Sequence, residues 1–88
     1  MKIFTIRHTK TDEIICIAAR TTNHAAQVFV SFLLARTGSA PGEFHVERGA
    51  PPGYVDNFFV RNIAKGDNAG VIVRQTDGSM LFDPATGE

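Results

Sequence analysis

Residues 2–20 constrain the fold more than any other stretch. β-Branched and aromatic residues alternate with polar ones on either side of Thr9-Lys10-Thr11-Asp12, which is the pattern of a β-hairpin. With Lys10 and Thr11 at the tip, Phe4 faces Ile17 and Ile6 faces Ile15, so four large apolar side chains gather on one face. A slip by one residue would scatter them, and the pattern therefore specifies its own register. The opposite face sets Ile3, Thr5 and Arg7 against Ala18, Cys16 and Ile14, a mixed surface that is neither plainly core nor plainly solvent-facing.

The apolar face needs a cover, and the next segment supplies a helix. Thr21 or Thr22 caps it by offering a side-chain oxygen to the free amides of the first turn, and Ala25, Ala26 and Gln27 propagate it. Gly38 stops it and Pro41 prevents resumption, which predicts a helix over 22–37. Projected at 100° per residue, Ala25, Ala26, Phe29, Val30, Phe32 and Leu33 share one face, while Leu34 falls among the polar set. Val28 and Ala35 flank the stripe, making it wider than one sheet face requires.

Glu43–Arg48 alternates again as a third strand, with Phe44 and Val46 inward and Glu43, His45 and Glu47 outward. For 54–64 a short helix or a strand is open. The helical template fits better, since Val55, Phe58, Phe59 and Ile63 recur at helical spacing and Gly66 can end the run. Val60, Asn57 and Asn62 are poor helix formers and pull the other way. Val71–Gln75 and Ser79–Phe82 flank Thr76-Asp77-Gly78, a strong hairpin signal, with Asp83-Pro84 ending the pairing and residues 84–88 fraying. The expected fold is α+β: an antiparallel sheet in the order β-β-α-β, then a short helix or strand, then a C-terminal β-hairpin, packed on one main helix.

At 88 residues and 9.6 kDa this is a single domain. The lone cysteine, Cys16, permits no intramolecular disulfide, so the fold rests on burial, and a reducing cytoplasm suits it. Charges near the start, Lys2, Arg7 and His8, break any signal-peptide core, and the greasy run from Val28 to Ala35 is far too short to span a bilayer. The expectation is a cytoplasmic protein with no membrane partner. Nine basic residues balance nine acidic ones, which removes the bulk electrostatic case for a polyanionic partner.

Residues that carry chemistry are few. Catalysis by Cys16 needs a histidine within reach, and the hairpin register puts the thiol opposite Thr5, on the face away from His8. His8, His24 and His45 have no metal-ligand spacing, and Gly66-Asp67-Asn68-Ala69-Gly70 lacks the lysine and the following helix of a phosphate loop. Asp67, Asn68 and Asp77 match no calcium loop. No catalytic residue, metal or cofactor is expected. The cations are dispersed, and only Arg7 and Arg20 clearly share a face of the first hairpin, which leaves a nucleic-acid-binding hairpin as the alternative reading. Phe58 and Phe59 would stack bases on a sheet surface, or be core if their segment is helical.

Over residues 2–48 the layout is a strand pair, one Thr-introduced and Ala-rich helix and a strand, with Ala18-Ala19-Arg20-Thr21-Thr22-Asn23-His24-Ala25-Ala26 at its centre. This layout resembles small orphan proteins of phages and plasmids, including some anti-CRISPR proteins. The resemblance implies a protein that acts by occupying a surface of a host complex without catalysis, and it carries over no motif residue. Many such proteins are strongly acidic and this chain is not, which argues against a DNA mimic. The expected function is therefore a non-enzymatic protein–protein interaction module, a mobile-element inhibitor in form, binding a host complex or a second copy of itself. Its expected contact residues are Arg7, Ile14, Arg20 and Leu34.

Overall fold

The computed structural model describes residues 1–10, 13–39, 42–54 and 57–84. Strands β1 (Lys2–His8) and β2 (Ile14–Ala19) precede helix α1 (Thr22–Thr37) and strand β3 (Phe44–Arg48). Helix α2 (Phe58–Lys65) and strands β4 (Gly70–Arg74) and β5 (Met80–Pro84) complete the chain. The strands form one antiparallel sheet in the order β3-β1-β2-β4-β5. The expected α+β architecture is thus what the chain adopts.

The hairpin register is the one the alternation specifies, with Phe4 opposite Ile17, Ile6 opposite Ile15 and Thr5 opposite Cys16. On that apolar face Phe4, Ile6, Ile17, Ala19 and Val71 meet Ala25, Val28 and Phe29 of α1, with Phe44 and Val46 closing the β3 side. Phe29 and Phe44 pack edge to face with centroids 4.7 Å apart, a geometry that suits the ring quadrupoles. Helix α1 begins at Thr21, whose hydroxyl accepts from the His24 amide at 3.1 Å, and ends at Gly38 in the left-handed region with φ 76°. Val28, placed by the helical projection at the edge of the stripe, is buried in the core.

The mixed face is covered as well. The open question over 54–64 resolves as a short helix from Phe58 onward: Asn57 caps α2 by accepting from the Phe59 and Val60 amides at 2.9 and 3.3 Å. Its Val60 packs on Cys16 and Ile72, with Ile3, Tyr54, Phe59, Ile63, Met80 and Phe82 around them. Capping and burial together outweigh the poor propensities of Asn62 and Val60. At the far end of α2 the Met1 ammonium donates to the carbonyls of Ala64 and Gly66 at 2.7 and 3.0 Å, a cation placed where the helix dipole favours one. The sheet is therefore sandwiched between a long helix and a short one.

Two expectations need correction. Phe58 is not core although its segment is helical: as the first residue after the cap it projects outward and stays 76% exposed. Pairing in β5 does not end before Asp83-Pro84, since Asp83 lies opposite Val71 and Pro84 opposite Gly70. Proline is tolerated there because β5 is an edge strand, and an edge residue can turn its missing donor outward. The rest of the tail expected to fray, residues 85–88, lies outside the described residues, as do the tip residue Thr11, Pro41 and Val55.

Candidate functional site: a cleft where two central strands part

Strands β2 and β4 are neighbours in the middle of the sheet, yet their ladder covers only Cys16–Ile72, Ile17–Val71 and Ala18–Gly70. Both strands continue beyond it with their outer neighbours, β2 to the pair Arg7–Ile14 and β4 to the pair Arg74–Met80. A cleft of about 390 Å³ opens at this point, near the end of the sheet that carries the first hairpin's tip. Its walls are Ile14 and Ile15 of β2 and Val73 and Arg74 of β4. The last two turns of α1 bring in Phe32, Leu33, Arg36 and Thr37, and Tyr54 closes the other side. The cleft thus has an apolar wall of Ile15, Phe32, Leu33 and Val73, with two guanidinium groups at its border.

Each polar group there has a definable state. Arg36 lies over the Phe32 ring at 5.0 Å from its centroid, a cation–π contact that fixes the guanidinium against the wall. Arg74 reaches back over Gly53, where an added Cβ would meet its Nη1 at 3.1 Å. Burial pushes the Tyr54 phenol up, the nearby Cys16 adds to the rise and the Arg74 guanidinium opposes it, so the hydroxyl is a neutral donor at physiological pH. Among the described residues no ion pair to Arg36 or Arg74 is found. Glu13 borders the cleft and is engaged in an interaction of its own.

The four residues expected to form a contact surface divide into three places. Arg7 and Ile14 are cross-strand partners on the face that α2 covers only in part, and Ile14, 40% exposed, also lines the cleft. Arg20 follows the end of β2, six positions from Ile14 and so about 20 Å away along an extended chain. It lines a separate opening of about 330 Å³ with Met1, His24, Asp67, Asn68, Ala69 and Pro84. Leu34, 45% exposed, stands on the outer side of α1, away from the sheet. The other large exposed apolar side chains, Phe58 and Leu81, are equally scattered. Arg7 and Arg20 share a face by parity but mark its opposite ends.

In the sequence Arg36 and Arg74 are two of the dispersed cations, and nothing local brings Tyr54, Phe32 and Leu33 to them. Their convergence depends on β4 lying beside β2, which no local pattern announces. The potentially reactive groups stay apart. Burial holds the Cys16 thiol up at about 12, protonated and inert at neutral pH. His8 and His45 lie at consecutive, opposite-facing positions of the β1–β3 ladder, across from Phe44 and Arg7 respectively. Among the described residues no three His, Cys, Asp or Glu side chains gather as metal ligands, and no helix is long and apolar enough to cross a membrane. Comparison with protein-family models, curated proteins and solved structures finds no match, so no relative's site can be carried onto the cleft.

Proposed function

We propose that this chain is a small non-enzymatic interaction module that seats another protein on the hairpin-tip end of its sheet, over Arg7, Ile14 and the mouth of the cleft. The observation that carries the reading is the exposure of Ile14, a large apolar side chain on a central strand, flanked by Arg7 and bordering a cleft with Arg36 and Arg74. Helix α2 buries the next positions of the same face, so on this face of β2 the apolar surface left open lies at this end. An apolar centre ringed by arginines has the composition of protein contact surfaces. The separation of His8 from His45 and the protonated Cys16 thiol support a role without catalysis.

A partner with an acidic and apolar surface fits these groups better than a second copy does, because a two-fold axis through this end would bring the cleft's Arg36 and Arg74 against like charges. Blocking a host complex in the cytoplasm, as a mobile-element inhibitor would, is the form of the reading that the sequence resemblance implies. The test is affinity capture from the native host, with and without nuclease, using wild type and Ile14→Glu. Species kept by the wild type after nuclease and lost by Ile14→Glu support the proposal. Equal retention by the variant, no specific retention, or retention that nuclease and added salt abolish would overturn it, the last outcome in favour of nucleic acid.

A further inference from the structure

We infer that the cleft between β2 and β4 binds a carboxylate carried on a compact apolar body. This rests on the interaction reading, because it names the chemistry accepted by the same end of the sheet. The space is the first argument: about 390 Å³ lies at the small end of ligand pockets and holds roughly ten non-hydrogen atoms. The wall is the second: Ile15, Phe32, Leu33 and Val73 offer apolar contact and nothing to hydrogen-bond. The head group follows from the guanidinium groups at the border, Arg36 on the α1 side and Arg74, next to Val73 and so turned to the α2 side, each a planar fork that matches a carboxylate in two-point contact, with the neutral Tyr54 hydroxyl on the side of Arg74 as a further donor.

Two features oppose an anion and are outweighed. The C-terminal end of α1 points partial negative charge toward this region. Its carbonyls are partly satisfied, since the Gly38 amide donates to Leu34 at 2.9 Å and the Thr37 hydroxyl to Leu33 at 2.8 Å. The Glu13 carboxylate borders the cleft as one anion against two cations and has its own interaction. A bare anion such as phosphate would gain nothing from the apolar wall, and a neutral hydrocarbon nothing from the arginines. A ligand with both parts uses the whole site. Two sources share that chemistry: a free arylalkyl carboxylic acid and the C-terminal residue of a partner chain that ends in a bulky apolar side chain.

The experiment is an amide ¹H–¹⁵N titration of the full chain with 4-phenylbutyrate, its primary amide, and a short peptide ending in leucine as free acid or as amide. Saturable shifts at Ile14, Ile15, Val73 and Arg74 are expected with at least one acid, in the millimolar range. Binding should weaken about tenfold or more for the matching amide and for Arg36→Gln/Arg74→Gln. Saturation by phenylbutyrate alone identifies the free acid as the source, and saturation by the peptide acid alone identifies a chain terminus; either result supports the inference. Acid and amide binding alike, shifts centred elsewhere, or no saturation by any probe would overturn it, and the spectrum of the double variant shows directly that it stays folded. Failure here is separable from failure of the interaction reading. A native partner captured equally by the double variant leaves that reading standing and removes the carboxylate. A saturating acid with nothing captured by the wild type does the reverse.

Discussion

Gly70 is the position at which the second face is most sharply testable. It lies between Ala18 and Pro84 in the sheet, and the Phe82 ring from β5 leans over it. A Cβ built there would sit 2.8 and 2.9 Å from Cζ and Cε1 of Phe82, where ordinary contact begins at 3.4 Å, and would press on the Asp83 carbonyl oxygen. The ring would have to retreat by about 0.5 Å from a cluster it helps to fill, and the carbonyl belongs to the β4–β5 backbone. Overpacking of this kind costs about 1–3 kcal/mol, and the obstruction by backbone puts Gly70→Ala near the upper end. Loss of unfolded-state freedom returns about 0.4–1 kcal/mol, so the net cost is about 2 kcal/mol. For a domain of this size that lowers Tm by about 8–16 °C.

Thermal and urea unfolding by circular dichroism would measure it, with Gly42→Ala as control, since an added Cβ there meets nothing within 4 Å. The decisive comparison repeats Gly70→Ala in a Phe82→Leu background. Removing the ring removes the side-chain part of the obstruction and leaves the Asp83 carbonyl in place, so the cost should fall by about 1 kcal/mol without vanishing. A Gly70→Ala protein as stable as the Gly42→Ala control, or an equal cost in both backgrounds, refutes the placement of Phe82 over Gly70 and with it the packing of β5 on the α2 side.

Cys16 should resist alkylation in the native state at pH 8 and react only at the rate of unfolding, which iodoacetamide labelling with and without urea would show. Its native thiol is raised to about 12 from an ordinary 9.0 by burial, so the stabilisation from keeping it neutral is whole below pH 9 and declines as pH rises toward 12. The unfolding free energy from urea titrations above pH 9 should therefore fall by about 1.4 kcal/mol per pH unit from this group, and a Cys16→Ala variant should lack that slope. Thr21→Ala removes the α1 cap and should cost about 1 kcal/mol, read as a shift in urea midpoint at constant m-value. Phe29→Ala, which empties the core under α1, should cost about 3–5 kcal/mol, while Leu34→Ala on the outer side of the same helix should cost less than about 0.5 kcal/mol. Comparable costs for the two would mean that α1 is rotated from the orientation described.

Local chemistry made much of this fold readable. The hairpin register followed from four apolar side chains that only one pairing collects, and the ends of α1 from Thr21 and Gly38, whose capping roles are properties of the residues themselves. Helix α2 was harder because its evidence is tertiary: Asn57 caps it locally, but what selects helix over strand is the fit of Val60 against Cys16 and Ile72, which come from two distant strands. Pro84 misled for a related reason, since it reads as a stop unless β5 is known to be an edge. The candidate site was nearly illegible. Arg36 and Arg74 are 38 positions apart in the chain, and neither has a neighbour in sequence that hints at the other.

The cleft itself bears on function through what its absence would have offered. Continuing the β2–β4 ladder by two residues would set Ile15 against Val73 and Ile14 against Arg74, adding backbone pairing at roughly 0.5–1.5 kcal/mol net for each bond. It would also close the only unpaired stretch between described neighbouring strands at the sheet's centre. Residues 14, 15, 73 and 74 have the β-branched character that suits such pairing in three of four cases, so propensity does not forbid it. The parting coincides instead with the entry of α1's last turns on one side and Tyr54 on the other, where bulky side chains meet. A stretch that departs from what local preference and pairing energy both favour is where function is most economically sought. That the departure also leaves Ile14 exposed and brings two arginines to one opening ties the interaction surface and the carboxylate site to a single structural cause.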